Sequence, residues 1–263
     1  LFLSYSIIRI LNNYLYIIKT RNGKKVLMNE FWEKDLSTGY YDEIVKKGLV
    51  SKKGVQSFWH ITTLNKISHY LVKDLVHLDY ACGPGTLIGL FSKSHSTGVD
   101  IAAKQINFAS SNYPHKGDFY QTKDFTFSKN RYDIITVIGL IEFIKDDEFL
   151  SLIAKLEKCL KSGGKIVFTT PNYSGLMNIY EYILNYFGDV DYEAQHINKK
   201  NTKSTKLLLA SLEGFQYKVE KFLNMSIIFS IFSHKFATTV ENLVSKIFNN
   251  YFGSLLIVEL VKK

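Results

Sequence analysis

The chain has 263 residues, 46% hydrophobic and 22% charged, with 33 basic side chains against 24 acidic and a formal net charge of +9. That is ordinary globular usage for one large domain, or one domain with an appended lobe. Two scattered cysteines exclude a disulfide scaffold and point to a reducing compartment. Seven histidines without a Cys/His or HxxxH cluster give no reason to expect a metal. The positive charge suits an anionic cofactor, a phosphate-bearing substrate, RNA or an anionic membrane, without choosing among them.

The N-terminal stretch LFLSYSIIRILNNYLYIIK is apolar but broken by Arg9, Asn12 and Asn13, so it is too short and too polar to span a bilayer. The first methionine is Met28, and residues 1–27 read as upstream translation or an accessory helix. Gly and Pro are sparse before residue 83, so the front reads as mostly helical, with helical spacing over 61–75. Then the pattern alternates. VHLDYA (76–81) is a short buried strand, 85–94 a helix, STGVDI (96–101) a strand, and 102–113 a helix closed by Pro114. HKGDF (115–119) marks a third strand, and YDIITVIG (132–139) is a β-branched run expected of a strand buried on both faces. A helix over 145–164, stopped by Gly163 and Gly164, leads to the strand KIVFTTPN. An aromatic helical insert (174–188), a polar segment, the helix TKLLLASLE, the strand GFQYKVEKF, a second apolar insert (226–252) and the strand SLLIVELVKK complete the chain. Strands alternating with helices predict an α/β fold, a parallel sheet covered on both faces.

HLDYACGPGTL (77–87) carries the chemistry. Asp79 ends a strand, and a glycine loop leads straight into a helix. Glycine allows a sharp turn and close approach of a ligand, and the helix start offers free N–H groups. Asp100 ends the second strand 21 residues on, where a carboxylate can accept hydrogen bonds from both ribose hydroxyls of a nucleotide. Asp118 and Phe119, in KGDF, could serve the adenine, one as acceptor and one by packing on the ring. Three acids at the ends of three successive strands point to one nucleoside-bearing ligand.

LDYACGPGT, GVDIA, GDF, YDIITVIGLIEFI and LKSGGKIVFTTPN, in that order, resemble the class I S-adenosylmethionine-dependent methyltransferases. The likeness is greatest to the small-molecule branch related to the ubiquinone-biosynthesis O-methyltransferases. It covers about residues 60–172, and more weakly the rest of the chain. The resemblance implies a Rossmann-like seven-stranded sheet, mostly parallel, its last strand antiparallel and inserted between the fifth and sixth. Helices cover both faces and helical inserts form a lid. Residues 1–60 would be a helical extension and lid, and 61–263 the methyltransferase domain. It implies S-adenosyl-L-methionine as cofactor. Asp79, Ala81, Cys82, Gly83 and Gly85 would hold the methionine moiety, Asp100 and Ile101 the ribose, and Asp118 and Phe119 the adenine. Ile138 and Gly139 would line the sulfonium.

Two positions depart from the family pattern. Ala81 stands for the first loop glycine. In LIEFI, Phe143 stands where many relatives have a histidine, and it can neither take a proton nor bind a metal. His196 is the remaining candidate base, and Tyr40, Tyr41 and His60 could line the pocket from the front. A nicotinamide dehydrogenase fits less well: Gly83, Gly85 and Gly89 are badly spaced, and Tyr217 and Lys221 fall on a strand. A non-catalytic binding protein on the same fold is a further alternative. The place after the fourth strand reads IGLIEF and no RNA-binding module is apparent, so a small-molecule acceptor is expected rather than nucleic acid. The aromatic inserts, with Tyr173, Tyr180, Tyr182, Tyr186 and Phe187 and then Phe229, Phe232, Phe236, Phe248 and Phe252, suit a lipid- or glycan-linked acceptor. Peripheral contact with a membrane, a homodimer and a cytoplasmic location are all compatible with them.

Overall fold

The computed structural model describes residues 17–19, 25–27, 31–174, 176–187 and 196–263. Most of the N-terminal stretch, the polar segment 188–195 and the side chains of Tyr186 and Phe187 lie outside the described residues. Ile17–Lys19 and Lys25–Leu27 pair as two antiparallel strands, where a helix was expected.

Two helices follow, α1 (Tyr40–Ser51) and α2 (Val55–Ser68). The sheet then forms from β1 (His77–Tyr80), β2 (Ser96–Asp100), β3 (Gly117–Gln121), β4 (Tyr132–Ile138), β5 (Leu160–Pro171), β6 (Phe215–Phe222) and β7 (Leu255–Lys262). Between them run α3 (Ala103–Asn112), α4 (Asp146–Cys159), α5 (Met177–Phe187), α6 (Thr202–Leu209) and α7 (His234–Phe248). The strand order is β3-β2-β1-β4-β5-β7-β6. β1 to β5 pair in parallel, and β7 is antiparallel to both β5 and β6. This is the seven-stranded mixed sheet expected from the sequence.

Period-two alternation divides the core into two layers. Ile135, Val137, Ile166, Phe168 and Val258 face α4 and α6, meeting Phe149, Ile153, Leu156 and Leu209. Ile134, Val167 and Ile257 face the other way, toward Val45 of α1, Phe58 and Ile67 of α2 and Tyr180 of α5. Because both faces are covered, the strands read as unbroken apolar runs.

Helix α4 ends earlier than its glycines suggest. Leu160 already pairs with Tyr132, and the register then slips so that Lys165 pairs with Ile134. Gly163 (φ +70°) and Gly164 therefore lie in the irregular start of β5, not at a helix cap.

The front of the chain is fastened to the sheet by buried polar groups. Gly39 N–H donates to Gln105 Oε1 at 3.0 Å, and Gln105 Nε2 donates to Ser37 O at 3.1 Å. Fully buried Asp42 of α1 accepts from Thr86 Oγ1 at 3.1 Å and from Tyr113 OH at 2.5 Å, and pairs with Lys46 at 2.7 Å. These bonds hold α1 over the loop that follows β1.

Candidate active site

A cavity of about 720 Å³ lies at the carboxyl ends of β1, β2, β4 and β5, roofed by α1, α2 and Trp32. Ligand sites occupy roughly 300–1,000 Å³, so it has the size of a binding site. Its position follows the rule for open α/β sheets, where ligands gather beyond the carboxyl ends of parallel strands.

The loop after β1 forms its floor. Asp79, Ala81, Cys82 and Gly83 all line the cavity. Ala81 has φ +64°, so this alanine sits in the left-handed region where glycine is favoured. Gly83 has φ +52°, and a Cβ there would meet nothing within 4 Å; the open space beside it is where a ligand could approach the backbone. Gly85 does not line the cavity. It has φ +75°, and a Cβ would lie 2.8 Å from Phe119 Cε1 and 2.9 Å from Ala109 Cβ, so its role is close packing under the loop.

Asp100 ties the floor together. Its Oδ2 accepts from Gly83 N–H at 2.8 Å and its Oδ1 from Ala102 N–H at 2.9 Å. Ile101, Ile138 and Gly139 join it in the cavity wall. Asp79 is 2% exposed and accepts from Thr136 Oγ1 at 2.6 Å. Thr136 in turn is 2.8 Å from His77 Nε2, and His77 Nδ1 is 2.9 Å from Ser96 Oγ. Burial pushes the Asp79 carboxyl up to about 7; the Thr136 bond opposes this and the negative charge of Asp100 adds to it. Burial also holds His77 neutral, its pKa lowered to about 3. Buried Asp79 and half-buried Asp100 thus share one wall. A ligand bearing positive charge would relieve both.

Asp118 and Phe119 lie elsewhere. β3 begins rather than ends at this point: Asp118 pairs with Thr97 at the start of β2, and Gln121 with Asp100 at its end. Asp118 is exposed and bonds His95 Nε2 at 3.0 Å, while Phe119 packs beneath Gly85 and Gly98. The residue after β3 that reaches the cavity is Thr122.

The opposite end of the cavity holds the groups that can move protons. His196 lines it and is 8% exposed. Its Nδ1 is 2.8 Å from Glu181 Oε1 and 2.5 Å from Tyr173 OH. Tyr173 OH also donates to Glu181 Oε1 at 2.7 Å, and Lys199 Nζ donates to Oε2 at 3.0 Å. Burial works against the charge of Glu181, but the bonds from His196, Tyr173 and Lys199 outweigh it and hold the carboxyl down at about 2. In the tautomer that donates its Nδ1 proton to Glu181, the ring carries its lone pair on Nε2. A histidine oriented by a buried carboxylate is the arrangement of a general base.

Sequence reading missed two acids here. Glu181 interrupts the apolar helix α5, and Glu142 interrupts LIEFI; one acid within an apolar run was the available signal. Glu142 lines the cavity, is 6% exposed, and its Oε2 has no hydrogen-bond partner among the described residues. Burial raises its pKa, and nearby His196 opposes the shift. Phe143, beside it, packs edge-on against Trp32 at 5.2 Å and His196 at 5.1 Å. It anchors the front segment, with Phe31, Leu36 and Tyr40, over the site. Tyr41 and His60 line the cavity 5.0 Å apart, and burial lowers His60 to about 4. Tyr40 is buried and does not line it. Tyr217 and Lys221 lie on the edge strand β6, away from the cavity. Among the described residues no group of three His, Cys, Asp or Glu could hold a metal.

Comparison with known proteins agrees with this geometry. Residues 55–219 match a family model described as a methyltransferase domain. The chain belongs to this methyltransferase family. Its mixed seven-stranded sheet is that of the class I S-adenosylmethionine-dependent methyltransferases. Among solved structures, magnesium protoporphyrin IX methyltransferase (ChlM) from Synechocystis PCC 6803, with bound S-adenosylhomocysteine, has TM-score 0.58 at 14% identity, covering 89% of this chain and 98% of that one. The plantazolicin methyltransferase BpumL, in complex with a monoazolic desmethylPZN analog and S-adenosylhomocysteine, has TM-score 0.57 at 19% identity, with coverages of 90% and 94%. A SAM-dependent methyltransferase from Archaeoglobus fulgidus has TM-score 0.54 at 19% identity, with coverages of 79% and 95%. At these identities the likeness is one of fold. Among curated proteins no relative matches the chain.

Proposed function

We propose that this methyltransferase methylates a small-molecule acceptor, with His196 taking the acceptor proton. Among the described residues, none of the aromatics expected to form a lid from the two inserts lines the cavity, and the support for a lipid- or glycan-linked acceptor is the aromatic roof of Trp32, Tyr41 and Trp59. The observation that carries the reading is that His196, held from behind by buried Glu181, lines the same cavity as the loop after β1. The fit to the cofactor rests on two features of the wall. Gly83 leaves open space beside the backbone, and Asp79 and Asp100 present negative charge to a ligand whose ammonium and sulfonium are positive. Asp79 and the 81–83 backbone would hold the methionine end, Asp100 and Ile101 the ribose, and Ile138 and Gly139 the region of the sulfur. Thr122, rather than Asp118, would reach the adenine.

S-adenosylmethionine, when bound, supplies an electrophilic methyl on a good leaving group, so the protein's main tasks are positioning and exclusion of water. Trp32, Tyr41 and Trp59 roof the site. Glu181 fixes the His196 ring and stabilises the imidazolium that forms when Nε2 accepts a proton from an acceptor hydroxyl or amine. Glu142, buried beside His196, offers a second acid–base group or a hydrogen-bond partner for the acceptor.

Calorimetric titration with S-adenosylhomocysteine and, separately, NAD tests the cofactor half. One-to-one binding of S-adenosylhomocysteine is expected, and binding of NAD alone would overturn the reading. Methyl transfer from labelled S-adenosylmethionine to a panel of phenolic, lipid-linked and glycan-linked acceptors tests the other half. Stoichiometric cofactor binding with no transfer across that panel would instead favour a non-catalytic role.

A further inference from the structure

One surface is used neither by the cavity nor by the core. Helix α7 presents three faces. Ala237 and Glu241 point inward, where Glu241 accepts from Asn224 N–H at 2.8 Å and from Ser226 Oγ at 2.5 Å. Phe236, Leu243 and Ile247 follow one another at helical spacing on an outer stripe and are 52%, 58% and 61% exposed. Phe232, just before the helix, extends the stripe and is 78% exposed. Lys235 and Lys246, each one residue back from Phe236 and Ile247, flank it on one side.

The stripe continues onto the turn between α1 and α2. Gly54 N–H donates to Ser230 O at 2.7 Å and His234 N–H to Lys52 O at 2.7 Å, so this turn is bonded to the start of α7. It adds Lys52 and Lys53, and Val50, which is 84% exposed. Across residues 48–54 and 225–253 the one acid is the inward Glu241. The four lysines have no acidic partner among the described residues.

We propose that this face docks on an anionic lipid bilayer, with the α7 stripe in the headgroup–acyl boundary and Lys52, Lys53, Lys235 and Lys246 against the headgroups. Exposed bulky side chains bordered by lysine are what an interfacial helix requires: apolar area to bury and cations for the lipid phosphates. A second copy of the chain suits the face less well. Twofold packing of stripe on stripe would bring the same lysine rims together with no acid between them. α2 separates the docked face from the cavity. Its Phe58 meets His234 at 5.4 Å, while Trp59, His60 and Thr63 of the same helix line the cavity. An acceptor residing in a membrane would therefore be one helix away from the site.

The test is co-sedimentation of the full chain with vesicles of phosphatidylcholine alone and of phosphatidylcholine with phosphatidylglycerol. Pelleting is expected with the mixed vesicles and weakens as salt is raised. The F232S/F236S variant should lose about tenfold or more in vesicle affinity, because it removes inserted apolar area. The K235E/K246E variant should lose a similar factor, chiefly with the anionic vesicles. Both pairs are exposed, and unchanged binding of S-adenosylhomocysteine would show that the variants fold. Absence of pelleting with anionic vesicles at low salt overturns the proposal. So does pelleting that neither variant changes. A protein that sediments as a dimer, and becomes monomeric in F232S/F236S without any vesicle binding, would assign the face to a second copy and also overturn it.

Discussion

The two ends of the cavity are built on different principles. At the β1–β2 end, backbone conformation and backbone hydrogen bonds do most of the work: Ala81, Gly83 and Gly85 turn the chain, and Asp100 pins Gly83 and Ala102. At the lid end, side chains brought from distant parts of the sequence do it. Glu181, His196, Tyr173 and Lys199 converge from α5 and the segments on either side of it, and Phe143 and Trp32 close over them. The first end is built from local sequence, so it can stay the same while the other end changes. The second end can be rebuilt one side chain at a time.

The largest effect should come from the lid end. H196Q is expected to lower kcat by roughly 10²–10⁴ if the residue is the base, with binding of S-adenosylhomocysteine nearly unchanged. A loss of cofactor affinity equal to the loss of rate would erase the distinction between the two ends. E181Q should reduce kcat less and shift the acid limb of the pH–rate profile, because a general base must be deprotonated to act. It should also destabilise the fold by on the order of 3 kcal/mol, because it breaks a buried pair. The sign of its pH dependence is set by the depressed carboxyl. Glu181 lies at about 2 when folded against an ordinary 4.5, so its stabilisation is present above 4.5 and is lost as pH falls toward 2. Acid unfolding of the wild type should therefore steepen in that window and that of E181Q should not.

At the other end, G85A should cost about 3 kcal/mol, from a left-handed alanine and a Cβ forced against Phe119 and Ala109. Urea unfolding measures it. Wild-type stability would mean that the loop yields, and that its rigidity is not what separates it from the lid.

How much of this could be read from the sequence follows the same division. The β-branched run 132–138 and the terminal strand were legible because strands buried on both faces read as continuous apolar stretches. The loop was legible because its contacts are local. Asp118 was misplaced by one end of a strand: Gly117-Asp-Phe-Tyr-Gln has too little apolar character to show where pairing begins, and only the register with β2 fixes it. Gly163 and Gly164 resembled a helix stop because a bulged strand and a helix end both use left-handed glycine, here Gly163. Glu142 and Glu181 were passed over because burial of a single acid depends on partners many residues away in the chain.

A smaller effect tests the charge of the loop end. Asp79 is raised to about 7 from an ordinary 3.8, so the folded, unliganded protein holds a proton there that the unfolded chain has released. The unliganded protein should thus lose stability as pH rises through that window. A cationic ligand favours the ionised form, so S-adenosylmethionine affinity should fall by up to about tenfold for each pH unit below 7, and that of S-adenosylhomocysteine, which lacks the sulfonium charge, should fall less. The groups facing Asp79 are Thr136 and Asp100. D79N should flatten the dependence and weaken binding at pH 8. A profile that stays steep in D79N would transfer the effect to Asp100.

The smallest effect concerns Ala81. At φ +64° an alanine lies in a conformation about 1–2 kcal/mol above the right-handed one, and glycine bears no such penalty. Glycine also has a more flexible unfolded chain, which offsets part of the gain. A81G should therefore stabilise the protein by about 1 kcal/mol in urea or thermal unfolding. The two ends of the cavity then make opposite predictions about function. If the alanine methyl only strains the loop, cofactor affinity in A81G stays constant or improves while the acceptor KM is unchanged. If the methyl touches the bound cofactor, since Ala81 lines the cavity, affinity falls although stability rises. That split would show that the loop is tuned by a side chain after all, as the lid is.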